Sequence, residues 1–232
     1  MANKKKTASS NIVYTNLKKD ILSLKLVPGS GISETDMASK YNVSRTPVRD
    51  AFKALANEGL LEVKPHIGTF VSLIDINQIS DVLYIRKSVE LSILKDLCLS
   101  LSESDELKLK FSLNEQKKFL QSTNFDENSV TDFIELDNNF HKLIFRIASK
   151  EGIWNMIFGI NQHYERFRSL INLHRENNIQ NLYEEHCSIV EALNKKDTEA
   201  LKTIINKHVY DGFKNSSDIL LQYSDYFINC HY

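Results

Sequence analysis

Residues Val43 to Leu61, VSRTPVRDAFKALANEGLL, constrain this chain more than any other stretch. Ser44 is placed to cap a helix, its hydroxyl accepting from an N–H of the first turn. Pro47 falls in that first turn, where no internal donor is lost. Phe52, Leu55 and Ala56 then follow at helical spacing and give one apolar face, while Arg45 and Arg49, four residues apart, share another. Gly59 closes the helix. Upstream, Ser33-Glu34-Thr35-Asp36 has the form of a capping box with Asp in place of Glu or Gln. It starts a short helix to Tyr41, and Asn42-Val43 makes a tight turn. Two helices joined by so short a turn form a helix-turn-helix. Downstream, Leu61-Glu62-Val63 and Thr69-Phe70-Val71 alternate around Pro65 to Gly68 as a two-stranded wing. A helix N-terminus of this kind offers backbone donors to phosphate, and arginine matches guanine O6 and N7. DNA is the expected partner.

The ordered set V-S-R-T-P-V-R, L-x-x-E-G-L and G-T-F-V resembles the DNA-binding domain of GntR-type bacterial transcription regulators. The resemblance covers residues 12–71, including the lead helix IVYTNLKKDIL and the turn at Pro28 to Ser30. It implies a first helix that buttresses the motif, an arginine-bearing helix in the major groove, and a wing tip at the minor groove. Carried over by position, Arg45, Thr46 and Arg49 are the base and phosphate contacts, with Ser44 beside them and Gly68 marking the wing. Many members place an arginine where this chain has Thr35; Lys64 and His66 at the wing are candidates to compensate.

A net charge of −1 over 232 residues argues against a nucleic-acid binder until its distribution is considered. Residues 1–70 carry eleven Lys/Arg and six Asp/Glu, so the front is basic and the remainder acidic. That asymmetry fits one domain that meets phosphate and one that does not. The length suits two domains: a winged helix-turn-helix at residues 12–71 and a helical domain at 77–223. Residues 1–11 are expected as a disordered arm, 72–76 as a linker and 224–232 as a tail. The basic start MANKKKTASS lacks the apolar region of a secretory signal. No run of eighteen apolar residues exists, so no membrane partner is expected. Cys98, Cys187 and Cys230 are scattered and odd in number, which points to the reducing cytoplasm. Cys98 is expected as a buried small apolar group.

Everything after the linker has helical periodicity. The expected spans are 77–101, 104–121, 129–149, 152–173, 178–194 and 198–223, with breaks at 102–104, 122–128 and 195–197. The expected fold class is mainly α: an N-terminal winged helix-turn-helix with a small β wing, and an all-α bundle of six helices, or seven. The informative residues are those that interrupt the apolar stripes. Phe133, Asp137, Phe140, His141, Ile144 and Ala148 form one stripe; Ile179, Leu182, His186, Ile189, Val190 and Leu193 another; Leu201, Ile204, Ile205 and His208 a third. One carboxylate and three histidines therefore face a single interior. Each histidine alone is more simply a hydrogen-bonded core residue. Together they point to a metal, because burying an unpaired carboxylate is costly and Asp-x3-His on one helix presents both ligands on one face. His66, His163, His174 and His231 show no such convergence.

The C-terminal region resembles the FCD ligand-binding domain of the FadR branch of GntR regulators. L-D-N-N-F-H-K-L is similar to its metal-binding signature, and His186 in EEHCSIVEAL and His208 in NKHV match its other metal positions. The resemblance implies a divalent cation (zinc, nickel or manganese) on Asp137, His141, His186 and His208. Arg86 interrupts the stripe Ile79, Val82, Leu83, Arg86, Glu90, Ile93, within a sequence similar to the family's R-x-x-x-E opening. It is either the anchor of a small carboxylate effector or one half of an internal pair with Glu90. The expected function is a homodimeric regulator on a palindromic operator, more often a repressor in this family, with two half-sites about one helical turn apart. Two alternatives differ in kind. The cation is itself the signal, or the site is a metal-dependent hydrolase. The hydrolase lacks a general base beside the ligands and leaves the DNA-binding half unexplained.

Overall fold

The computed structural model describes residues 2–122, 127–175 and 178–230. Met1, His231, the end of the tail and part of the break at 122–128 lie outside the described residues. The chain divides into two compact units, one of residues 1–76 with 223–232 and one of residues 77–222.

The first unit opens with α1 (Ala2–Leu22). The expected arm over residues 1–11 is corrected from Ala2 onward, since no Gly or Pro stands between Ala2 and Leu22 to stop a helix. After β1 (Gly31–Ile32) come α2 (Glu34–Lys40) and α3 (Arg45–Asn57), the helix-turn-helix pair. The Ser33 hydroxyl accepts from the Asp36 N–H at 3.0 Å, as the capping box requires. Ser44 does not cap as expected: it stands at the N-cap of α3 in extended backbone, but its side chain makes no capping bond. Asn42 takes φ +51° in the turn between the helices, a conformation Asn tolerates. α3 ends in a Schellman motif. Leu60 N–H donates to Leu55 C=O at 2.9 Å and Gly59 N–H to Ala56 C=O at 3.0 Å, with Gly59 at φ +73°.

The wing is β2 (Leu61–Lys64) and β3 (Gly68–Val71), paired antiparallel in the register Leu61–Val71 to Lys64–Gly68. β1 pairs on the other edge of β3, making three strands where two were expected. Val13, Leu17 and Ile21 of α1, Val48, Ala51, Phe52 and Leu55 of α3, and Leu60, Leu61 and Val71 form the core. The linker and tail, expected without structure, supply β4 (Ile74–Asp75) and β5 (Phe227–Ile228), which pair in parallel. Strands of two residues leave no alternation for sequence patterning to register.

Among its described residues the second unit is built of helices: α4 (Ile76–Ser100, from Asn77 in this unit), α5 (Glu103–Ser122), α6 (Glu127–Ile147), α7 (Glu151–Gly159), α8 (Gln162–His174), α9 (Asn178–Asn194), α10 (Thr198–Lys214) and α11 (Ser217–Gln222). Two expected spans are broken. The helix expected over 152–173 stops at Gly159 and restarts beyond Asn161, both poor helix formers. The one expected over 198–223 breaks at Asn215-Ser216, where the buried Ser216 hydroxyl donates to Phe213 C=O at 2.7 Å. The described residues contain no helix long and apolar enough to cross a membrane. Cys98 is buried, as expected.

Candidate functional site

Two groups of polar residues stand out, one on the surface of the first unit and one inside the second.

On the first unit, packing of Val48, Ala51, Phe52 and Leu55 against α1 turns the opposite side of α3 outward. Ser44, Arg45, Thr46 and Arg49 are exposed there, as is Thr35 on α2. Both arginines reach back to one carboxylate. Arg49 donates to Glu34 through Nε and Nη2 at 3.1–3.3 Å, and Arg45 through Nη2 at 3.3 Å. The hydrogen bonds and charge of Arg49 hold the Glu34 carboxyl below its ordinary value. Lys64, His66 and Gly68 are exposed on the wing hairpin, with Lys64 Nζ 5.2 Å above the Phe70 ring. His66 takes φ +61° at the turn. Nothing in the sequence pattern signalled Glu34 as the shared partner, since the pairing bridges two helices.

In the second unit, Asp137 and His141 of α6, His186 of α9 and His208 of α10 are all buried, and one ligand atom from each lies within 4.8 Å of every other. The convergence follows from the stripes: each residue takes an apolar position on its helix and is carried inward with its neighbours Phe140, Ile189 and Ile205. The imidazoles are oriented alike. Nδ1 of His186 donates to Gln116 Oε1 at 2.8 Å, Nδ1 of His208 to Glu185 Oε2 at 2.9 Å, and Nδ1 of His141 lies 2.9 Å from Glu90 Oε2. Acceptor oxygens at Nδ1 of His186 and His208 favour the proton there and leave their Nε2 atoms as lone pairs, while His141 Nδ1 lies close to Glu90 without a hydrogen bond. The Nε2 atoms of the cluster lie close together: His141 and His208 are 3.0 Å apart, and His186 Nε2 is 3.4 Å from Asp137 Oδ1 without a hydrogen bond.

Opposed lone pairs repel unless a cation or proton lies among them. A proton is disfavoured, because burial pushes the His186 imidazole down to about 3 and lowers His141 as well. A divalent cation fits. Bonds of about 2.1 Å place neighbouring ligand atoms roughly 3 Å apart and opposite ones roughly 4.2 Å apart, so closure needs only a small contraction. The carboxylates of Glu90 and Glu185 and the amide of Gln116, behind the histidines, are outer contacts of the kind such sites use to orient their ligands.

Beside the cluster is a polar cavity of about 450 Å³ lined by Arg86, Asp137, Tyr164, Arg168 and His208 among others. Arg86 meets both descriptions offered for it. Its Nε donates to Glu90 Oε1 at 2.7 Å, while its buried Nη2 has no partner and the residue lines the cavity. Burial opposes its charge, but Glu90 outweighs that and raises Arg86 above its ordinary value. Arg168, which sequence reasoning missed, donates from Nη2 to Asp137 Oδ2 at 2.5 Å and from Nη1 to Glu165 Oε1 at 3.0 Å. Burial would raise the Asp137 carboxyl, yet the Arg168 charge holds it well below the usual carboxylate range. The two guanidiniums stand 5.4 Å from the same Tyr164 ring. Tyr164, Arg168 and Ile171 recur at helical spacing on α8, a stripe that could have signalled Arg168 as inward. Gln116 and Glu185 gave no such signal, because their roles depend on which helices pack together.

The chain matches the family model described as bacterial regulatory proteins, gntR family, over residues 9–71, and the FCD domain over residues 81–211. It is 29% identical over 215 residues to the HTH-type transcriptional repressor RspR of Escherichia coli strain K12, covering 93% of this chain and 92% of that one. It is 30% identical over 197 residues to the HTH-type transcriptional regulator in unstable DNA locus of Streptomyces ambofaciens, covering 85% and 80%. Among solved structures, E. coli McbR/YncC superposes with a TM-score of 0.67 at 20% identity, covering 92% of this chain and 97% of that chain, a likeness of fold. Both sequence relatives are named as transcriptional regulators, not enzymes. The chain belongs to the GntR family, in its FadR-like branch with a C-terminal FCD domain, and is a DNA-binding transcriptional regulator.

Proposed function

We propose that this protein is a cytoplasmic repressor whose affinity for a palindromic operator is set by a small carboxylate bound beside a metal in the C-terminal bundle. The observation that carries the sensing half is the convergence of three imidazole Nε2 atoms and one carboxylate, with Nδ1 of His186 and His208 each bonded to an acceptor oxygen. Asp137, His141, His186 and His208 hold the cation. When bound, a zinc, nickel or manganese ion supplies an attractive position for a carboxylate oxygen. Arg86 offers its unpartnered Nη2 to the same anion, and Arg168 keeps Asp137 ionised. Glu90 orients Arg86 and backs His141.

Arg45, Thr46 and Arg49 enter the major groove, with Ser44 and Thr35 at its edge and Lys64, His66 and Gly68 of the wing at the minor groove. Arg45 and Arg49 then exchange the Glu34 carboxylate for guanine edges and phosphate. Two copies present two such helices to two half-sites. Repression is supported by the relative named a repressor. The effector acts by binding the operator-bound and operator-free states with different affinity.

The test is selection of bound fragments from random DNA by the purified protein. Enrichment of an inverted repeat, abolished by Arg49→Ala, is expected; no enriched sequence would contradict the reading. A second reading makes the cation the signal. It is favoured by Arg168, whose bond to Asp137 competes directly with loading of the cluster. Chelation would then change operator affinity with no organic acid present, whereas a structural ion would change mainly stability.

A further inference from the structure

The DNA-binding unit draws on two stretches of chain, residues 1–76 and 223–232, that flank the bundle in sequence. They meet at β4 and β5. Ile74 pairs with Phe227 and Asp75 with Ile228. Asn229 closes the pair, its Nδ2 donating to Asp75 Oδ1 at 3.0 Å. Ile74 and Phe227 are both buried, so an apolar anchor supplements the ladder. Both strands connect to helices of the Asp137 cluster or of its outer contacts. β4 runs straight into α4, whose Glu90 stands behind His141. β5 is reached from α10, which carries His208, through α11 and a short 3-10 turn (Ser224–Tyr226). A ladder of two residue pairs is marginal, and elements with few ladder bonds open at low cost. The pair is therefore an element with two states, made and released.

We propose that the β4–β5 pair is a releasable strap through which metal occupancy of the cluster reaches the DNA-binding unit. This rests on the metal reading given above and adds its route. Closure of the ligands about a cation draws on His208 of α10 and on His141, which Glu90 of α4 backs. The strands are joined in sequence to those two helices, so a shift of α10 against α4 pulls β5 along β4. A slip of one residue turns Phe227 out of its buried position. The pairing therefore does not follow the shift gradually; it holds or lets go. With the strap made, β5 is fixed on β4; with it released, only the linker ties the DNA-binding unit to the bundle's first helix. Cation and strap then change one another's stability by the same factor.

The experiment measures the affinity of the full-length protein for zinc, nickel and manganese by competition with a chelator, in the parent, in Phe227→Asp and in the milder Phe227→Ala. The second variant covers failure of the first to fold, which circular dichroism reports. Loss of the strap is expected to shift the affinity roughly fivefold or more. A merely structural strap would lower the melting temperature and leave the affinity as it is. A second measurement needs no variant: in the parent, amide hydrogen exchange over residues 74–75 and 226–229 should differ between the cation-loaded and the chelated protein. Unchanged affinity in a folded variant, or the same exchange with and without cation, overturns the strap and leaves the metal reading intact. A parent that takes up none of the three cations overturns both.

Discussion

The two units place their functional charges in opposite positions. The DNA-binding unit has an apolar core of α1, α3 and the wing, and its arginines stand outside that core on exposed helix positions. The helical bundle buries, among its described residues, three carboxylates (Glu90, Asp137 and Glu165), three histidines and three arginines (Arg86, Arg166 and Arg168). In the first case recognition is separable from folding, because an exposed side chain is removed without leaving a cavity or an orphaned charge. In the second the two are coupled, because each buried charge is tolerated only through its partners. On the proposed function, the site that senses would also be a site that stabilises.

The largest expected effect follows from that coupling. Asp137→Ala leaves Arg168 buried with Glu165 as its remaining ion-pair partner, and removing one member of a buried pair costs about 3–5 kcal/mol. Glu165 puts the expected loss at the low end of that range. Denaturant unfolding of the metal-free protein measures it; a variant as stable as the parent would show that the cluster and the bundle's stability are independent. Metal loading comes next. A divalent cation at a hundredfold excess over its dissociation constant stabilises the folded state by about 2.7 kcal/mol. Melting curves with and without chelator should differ accordingly, and identical curves would remove the cation from the account of this bundle. The exposed half gives the complementary result: Arg49→Ala should weaken operator binding by roughly tenfold to a hundredfold while the melting temperature scarcely moves. A large drop in melting temperature would mean that the two halves are less different than their burial implies.

Much of this arrangement was legible in the sequence. Asp137 and His141 sit four apart in an apolar stripe, and His186 and His208 interrupt stripes of their own, so periodicity alone sends all four inward. The winged motif was legible from the order of its turns and caps. What was not legible depends on packing between elements. Gln116 and Glu185 are met by His186 and His208 only because α5, α9 and α10 are neighbours, and Glu34 clamps two arginines only because α2 crosses α3. Ser44 has the right residue type for a cap and makes no capping bond, since a side-chain preference does not fix the rotamer. The breaks at Gly159 and Asn215 fall within otherwise continuous apolar patterns, where low helix propensity decides and periodicity is silent.

The smallest expected effect concerns the Glu34 clamp. Arg49 lowers the Glu34 carboxyl, so whatever stability the pairing contributes is fully present above the unfolded-state value and is lost as pH falls through the lower folded value. The clamp is near the surface and screened, so the change is slight. Glu34→Gln should flatten the acid limb of the stability profile by a correspondingly small amount; superimposable profiles would show that the clamp does not persist in solution.

The central claim, that the bundle encloses a metal-holding site, is tested most directly by the metal content of the untagged protein, measured by elemental mass spectrometry beside His186→Ala. About one divalent cation per chain, largely lost in the variant, is the result expected of four converging ligands. No metal in the native chain, even after zinc, nickel and manganese have each been supplied, would contradict it and leave Asp137 and the histidines as a hydrogen-bonded core.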